Sequence, residues 1–189
     1  MPANRVRIIG GQWRSRWIKF PDHESLRPTP DRVRETVFNW LGQDLTGLAC
    51  LDLFAGSGAF GFEAASRGAS SVVLVERDRR VARALEDNVR VFCGESGPIS
   101  VVCSDALEFL HRDLRAYDVV FVDPPYAQWG KTADAAAALL QAVKPRLNPG
   151  ARVYLEAAEV LQLPPDWQTI KNNRAGAVHF QLAQPIAHE

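Results

Sequence analysis

The feature that most constrains this chain is a glycine-rich turn set between an apolar run and a helical pattern. Leu48-Ala49-Cys50-Leu51-Asp52-Leu53-Phe54 leads into Ala55-Gly56-Ser57-Gly58-Ala59-Phe60-Gly61, where Gly56, Gly58 and Gly61 fall at GxGxxG spacing. With a strand before and a helix after, such a turn lets backbone approach a ligand beside a helix N-terminus. Further apolar runs at 71–75, 99–103, 117–122 and 151–155 alternate with helical stretches near 59–67, 78–92, 104–112 and 132–144. Strands that are apolar almost throughout belong to a parallel sheet covered on both faces. The tail, 167–170 and 177–182, alternates around Arg174-Ala175-Gly176 and reads as a terminal antiparallel hairpin. The expected fold is therefore α/β and Rossmann-like, a mostly parallel seven-stranded sheet with helices on both faces.

At 189 residues the chain has room for one domain and buries enough surface to need no disulfide or metal. Cys50, Cys93 and Cys103 are odd in number and irregularly spaced beside apolar segments, which predicts reduced, buried thiols. His23, His111, His179 and His188 form no i,i+4 pair, and no metal is assigned. No apolar run approaches the roughly 18 residues of a membrane span, and the N-terminus lacks the apolar stretch of a secretory signal. A soluble, cytoplasmic monomer without membrane attachment is expected.

Charge divides the chain. The whole carries 22 cations and 22 anions, but Arg5, Arg7, Arg14, Arg16, Lys19, Arg27, Arg32 and Arg34 outnumber the acids of residues 1–34 by five. A basic arm on an acidic body suits a nucleic-acid partner that the zero net charge would otherwise argue against. Arg5-Val6-Arg7-Ile8 and Arg16-Trp17-Ile18-Lys19-Phe20 alternate around Gly10-Gly11, which predicts a β-hairpin with one apolar and one basic face. The expected division is a basic hairpin arm over 1–28 and a catalytic domain over 29–189. From Thr29 the period changes: Thr29 is expected to cap a helix with Pro30 at its first position, and Val33, Val37, Phe38 and Leu41 form its apolar stripe. That helix is expected to project Arg32 and Arg34 toward the hairpin side.

Glu76 closes the second strand 20 residues after Gly56, where an acid can accept hydrogen bonds from ribose hydroxyls. Glycines and acid together leave a nicotinamide cofactor and S-adenosylmethionine both open. Asp52, at the end of the first strand, and Asp105, after the third, should meet Glu76 in the crevice at the strands' carboxyl ends. Three acids suit a ligand with a sulfonium, an ammonium, ribose hydroxyls and an adenine amine, and suit a pyrophosphate badly. Asp105 can also cap the helix that follows it.

Asp123-Pro124-Pro125-Tyr126 follows directly on the strand 117–122. Consecutive prolines fix φ and remove two donors, leaving free carbonyl acceptors in the crevice. An exocyclic purine amine, whose lone pair is delocalised into the ring, needs such acceptors. The Asp123 carboxylate and the Pro124 carbonyl can take its two N–H groups and turn the lone pair toward a methyl donor, while Tyr126 stacks on the base. Methyl transfer makes the nitrogen cationic, and acceptors already aimed at it stabilise that charge.

The motifs at 52–61, 75–78, 104–106 and 123–126 together resemble those of class I S-adenosylmethionine-dependent amino-methyltransferases. Residues 7–16 and 26–41 are more specifically similar to the bacterial small-subunit (16S) ribosomal RNA guanine-N2 methyltransferases of the RsmD family, and the likeness runs from about Arg7 to Asn148. What the resemblance implies is N2-methylation of one guanine in 16S ribosomal RNA, with the assembled or partly assembled small subunit as substrate. It implies that Glu76 holds the ribose, that Asp105 contacts adenine, and that Gly56 and Gly58 pass beside the methionine part. The cofactor set then comprises Asp52, Phe54, Ala55, Gly56, Gly58, Glu76, Arg77, Asp105, Ala106 and Asp123, with Asp123 to Tyr126 carrying the amine chemistry. The arm residues from Arg5 to Arg34 would grip RNA. Three departures stand out: Pro30 replaces a usual Thr, Arg77 an apolar residue against the adenine, and Tyr126 the Phe of some members. Two other readings compete, an adenine-N6 DNA methyltransferase and a non-catalytic RNA-binding protein of the same fold. A nicotinamide dehydrogenase leaves 123–126 unexplained.

Overall fold

The structure, a computed structural model, describes residues 4–22, 26, 28–94, 96–125 and 133–186. Seven strands form one sheet: β3 (Ala49–Asp52), β4 (Ser71–Glu76), β5 (Ile99–Cys103), β6 (Tyr117–Val122), β7 (Leu147–Ala157), β8 (Trp167–Ala175) and β9 (Val178–Pro185). Their order is β5-β4-β3-β6-β7-β9-β8, parallel through β7 and antiparallel at β7–β9 and β9–β8. The five parallel strands and the terminal hairpin lie where the apolar runs predict them, with β7 longer at both ends.

Period-two alternation supplies two cores from the same strands. Cys50, Val72, Leu74, Val119, Phe121 and Tyr154 point to one face, where α1 (Asp31–Trp40), α2 (Ala59–Ser66) and α3 (Arg79–Cys93) cover them. Leu51, Val73, Val75, Val120, Val122, Val153 and Leu155 point to the other, under α4 (Ala106–Arg112) and α5 (Ala133–Val143). On the first face Phe60 lies between Phe121 and Tyr154, with centroids 4.9 and 4.7 Å away. Gly61 seats α2 against the sheet, since a Cβ there would stand 2.1 Å from a Leu74 methyl.

The arm is a hairpin of β1 (Asn4–Arg7) and β2 (Trp17–Phe20), paired Arg5 to Lys19 and Val6 to Ile18. Val6, Ile8, Trp13, Ile18 and Phe20 are buried in the first core, while Arg5, Arg7, Trp17 and Lys19 face outward. The two-faced hairpin is thus as its alternation predicts, and its apolar face is continuous with the body's core.

Two expectations need correction. Thr29 does not cap α1: Pro30 occupies the N-cap with no side-chain cap bond, and the Thr29 hydroxyl is drawn instead to carboxylates at the sheet edge. The thiols are not all buried. Cys50 is, and burial pushes it up to about 12, but Cys93 is half-buried and Cys103 exposed because β5 is an edge strand.

Candidate active site

The chain builds the sheet outward in both directions from β3, so β3 and its neighbour β6 flank the topological switch point where α/β sheets bind ligands. The glycine turn leaves β3 there, and Asp123 leaves β6 beside it. Gly56, at φ +49, is held by its N–H, which donates to Glu76 Oε2 at 3.0 Å; Glu76 Oε1 accepts from Asp78 N–H at 2.8 Å. Glu76 therefore braces the turn, and each of its oxygens, accepting one bond from these N–H groups, retains capacity to accept another.

Asp52 is 3% exposed, and its Oδ2 accepts the Gly61 N–H at 3.0 Å from beneath the turn. Burial pushes its carboxyl up to about 7, the Gly61 N–H opposes this, and Glu76 adds to it. Asp105 stands exposed beyond β5, its Oδ1 capping α4 through Leu107 N–H at 2.9 Å and Glu108 N–H at 3.3 Å. Ala106 is buried under it, Phe54 and Arg77 border the turn and β4, and Ala55 donates its N–H to Val75 O at 2.9 Å. Asp52, Gly56, Gly58, Glu76 and Asp123 thus come together at one end of the sheet, with Asp105 at its rim.

These residues fit S-adenosylmethionine by their acceptor chemistry: the Asp52, Glu76 and Asp105 carboxylates and the backbone of the turn suit a ligand that is cationic at sulfur and nitrogen. Gly56 also sits close to the arm connection, since a Cβ there would be 3.1 Å from Leu26 Cδ2. Leu26 therefore lies against the glycine turn, and Thr29 lies at the β6 end.

At that end Pro124 is buried and Asp123 half-buried; Tyr126 lies outside the described residues. Asp123 Oδ2 is 3.2 Å from the Thr29 hydroxyl, which is also 3.4 Å from Glu156 Oε2, and Tyr154 donates its hydroxyl to that same oxygen at 2.7 Å. Burial, the Glu156 carboxylate and Asp52 together push the Asp123 carboxyl well above the usual range, partly offset by the Thr29 hydroxyl. Sequence reasoning missed Glu156. The signal was an acid at the carboxyl end of a strand, as at Asp52 and Glu76, one residue beyond the 151–155 run.

The basic arm separates into exposed and structural cations. Arg5 lies 4.4 Å over the Trp17 ring, Arg7 pairs with Asp31 at 3.4 Å, and Arg16 sits 4.0 Å over Phe92 while donating to Val91 O at 3.1 Å. Arg14, Lys19 and Arg32 are exposed, and Arg27 lies outside the described residues. Arg34 is not available to RNA: it is fully buried, donating to Glu63, Arg7 O and Thr29 O and paired with Asp31. A second buried acid explains it. Glu63 on α2 accepts from Ile9 N–H at 2.8 Å, Gly10 N–H at 2.7 Å, Arg34 and Arg67, and so ties the hairpin turn to the body.

Among the described residues no cluster of His, Cys, Asp and Glu could hold a metal ion, and no helix is long and apolar enough to cross a membrane. The chain matches the family model described as Conserved hypothetical protein 95 over residues 6–184. It is similar to the Ribosomal RNA small subunit methyltransferase D of Escherichia coli K12, 40% identical over 185 residues that cover 96% of this chain and 91% of that protein. The protein of that name from Haemophilus influenzae is 40% identical over 183 residues, covering 95% and 93%. A solved structure described as a putative methyltransferase from Escherichia coli superposes with TM-score 0.83 at 38% identity, covering 98% of this chain and 100% of that one.

Proposed function

The chain belongs to the Conserved hypothetical protein 95 family, and on that premise we propose that it methylates small-subunit ribosomal RNA from S-adenosylmethionine, at the exocyclic N2 of a guanine. One observation carries the chemistry: a carboxylate and a Pro-Pro segment leave β6 at the switch point, beside a glycine turn walled by acids. The cofactor, when bound, supplies a methyl group on a sulfonium. Glu76 would hold its ribose, the free oxygen of Asp105 its adenine amine, and the backbone at Gly56 would run beside the methionine part. Asp123 and the Pro124 carbonyl accept the N–H groups of the guanine amine and hold its lone pair toward the methyl. The outward face of the hairpin grips the RNA backbone.

The direct test is methyl transfer measured in parallel on small subunits lacking the modification, on deproteinised ribosomal RNA and on duplex DNA. Transfer to guanine N2 in the small-subunit RNA is expected; preference for adenine in DNA would overturn the reading.

Two further outcomes follow from the site. Asp52 is protonated below about pH 7, and a bound cation favours its ionised form. Cofactor binding should therefore release protons below about pH 7, and affinity should rise as pH climbs through that value and then level off. Calorimetry in two buffers of unlike ionisation enthalpy reads this, and an affinity flat between about pH 6 and 8 with no proton release contradicts it. For the arm, replacing the exposed Arg5, Arg14 and Lys19 by Gln should weaken RNA binding and flatten its salt dependence by roughly two units of slope, because fewer counterions are released. An unchanged slope would leave the hairpin a packing element only.

A further inference from the structure

Beyond the acceptor role of Asp123, the structure places a second buried acid where that role needs help. Glu156 is 5% exposed on β7, and its Oε2 accepts the Tyr154 hydroxyl at 2.7 Å. That hydroxyl is fixed by the aromatic cluster, with Phe60 4.7 Å and Phe180 6.4 Å from the Tyr154 ring. The same Oε2 lies 3.4 Å from the Thr29 hydroxyl, whose other neighbour, at 3.2 Å, is Asp123 Oδ2. A hydroxyl has one proton to donate and serves one carboxylate at a time. Two acids thus face each other across a single shared donor, at the one place where the reaction must dispose of a proton.

We propose that Glu156 is a positioning residue for methyl transfer: acting through the Thr29 hydroxyl, it turns Asp123 from a passive acceptor into the group that takes the proton shed by the amine. This rests on the amine-methylation reading above. As the bond from sulfur to methyl breaks and the N2–C bond forms, sulfur keeps the electron pair and N2 becomes cationic. One N2–H bond then breaks, its proton passes to Asp123, and the methylated guanine leaves neutral. The proton held between Asp123 and Glu156 returns to water through the crevice. An isolated carboxylate is too weak a base to hold that proton, whereas two carboxylates sharing a site hold one strongly.

Among the described residues, several elements contribute groups beside the pair. From the segment before α1 comes Thr29, from β3 Asp52, and from β7 Tyr154; on β9 the residue paired with Glu156 is Phe180, which is uncharged. From α1, Arg34 reaches the Thr29 carbonyl at 3.3 Å, but its guanidinium is engaged with Glu63 and Asp31.

The test is the pH profile of single-turnover transfer to small subunits by wild type, Glu156→Gln and Thr29→Val. Glu156→Gln removes a negative neighbour, so Asp123 ionises more readily: the acid limb should move down by about one pH unit or more. The plateau rate should fall about tenfold, because a weaker base remains. Thr29→Val removes the hydrogen bond that favours ionised Asp123, so its limb should move up. Opposite shifts with cofactor affinity unchanged support the proposal. An acid limb that stays at the wild-type position in Glu156→Gln overturns it, even if the rate falls, since bracing alone leaves a limb in place. Should Glu156→Gln fail to fold, a Thr29→Val limb at or below the wild-type position overturns it alone. If wild type does not methylate guanine N2 at all, the underlying reading fails instead, and the two failures are distinct.

Discussion

Asp123→Ala should lower the rate of methyl transfer about 10³-fold while leaving S-adenosylmethionine binding nearly unchanged. Alanine removes the acceptor that we propose holds the amine and offsets the charge developing on nitrogen. The glycine turn and Glu76, which we assign to the cofactor, make no hydrogen bond to the Asp123 side chain. Nor should the loss come from unfolding. Asp123 is a half-buried acid beside Glu156 and Asp52, so removing it relieves like-charge repulsion and the melting temperature should hold or rise. Asp123→Asn, which keeps a carbonyl acceptor without the charge, should fall between. Single-turnover transfer with labelled cofactor, paired with calorimetric binding, checks this. A rate within about tenfold of wild type for Asp123→Ala, worth only about 1.4 kcal/mol of barrier, would contradict the mechanism.

The second large effect lies away from the chemistry. Glu63 is fully buried and accepts from Ile9 and Gly10 N–H and from two arginines, of which Arg34 is itself fully buried. Glu63→Ala leaves the Arg34 charge without its buried partner and strands two backbone donors. Breaking a buried pair in this way costs about 3–5 kcal/mol, which for a chain of this size is a fall in melting temperature of about 6–20 °C. The hairpin turn would come off α2, and with it the ordered placement of Arg5 and Lys19. RNA affinity should therefore fall in Glu63→Ala although no RNA-facing residue has changed. Thermal unfolding followed by circular dichroism reads the first effect and RNA binding at fixed salt the second; an unaltered melting temperature would show that the hairpin does not depend on this anchor.

What the sequence made legible was whatever acts locally. The glycine turn, the β-α alternation, Glu76 and the 123–126 quartet each announce themselves within a few residues, and the structure brings Gly56, Glu76 and Asp123 to one end of the sheet. What stayed hidden acts across the chain. Thr29 reads as a helix cap beside Pro30, yet its partners lie 94 and 127 positions away. Arg34 reads as one more cation of a basic arm, yet the buried Glu63, 29 positions on, claims it. Glu63 sits in an apolar helix where nothing nearby marks it as an anchor for backbone more than 50 residues upstream. Net charge counted along the arm cannot separate cations that face solvent from those that hold the fold. Burial is what divides them, and burial is set by packing between elements distant in sequence.

We propose that the acceptor at the β6 end acts on guanine N2 in small-subunit ribosomal RNA. Mass-spectrometric mapping of that RNA from cells carrying wild type, the Asp123→Ala variant or no copy of this protein tests it most directly. One N2-methylguanine present with wild type and absent in the other two is the predicted result. A modification map that is identical in all three would contradict it.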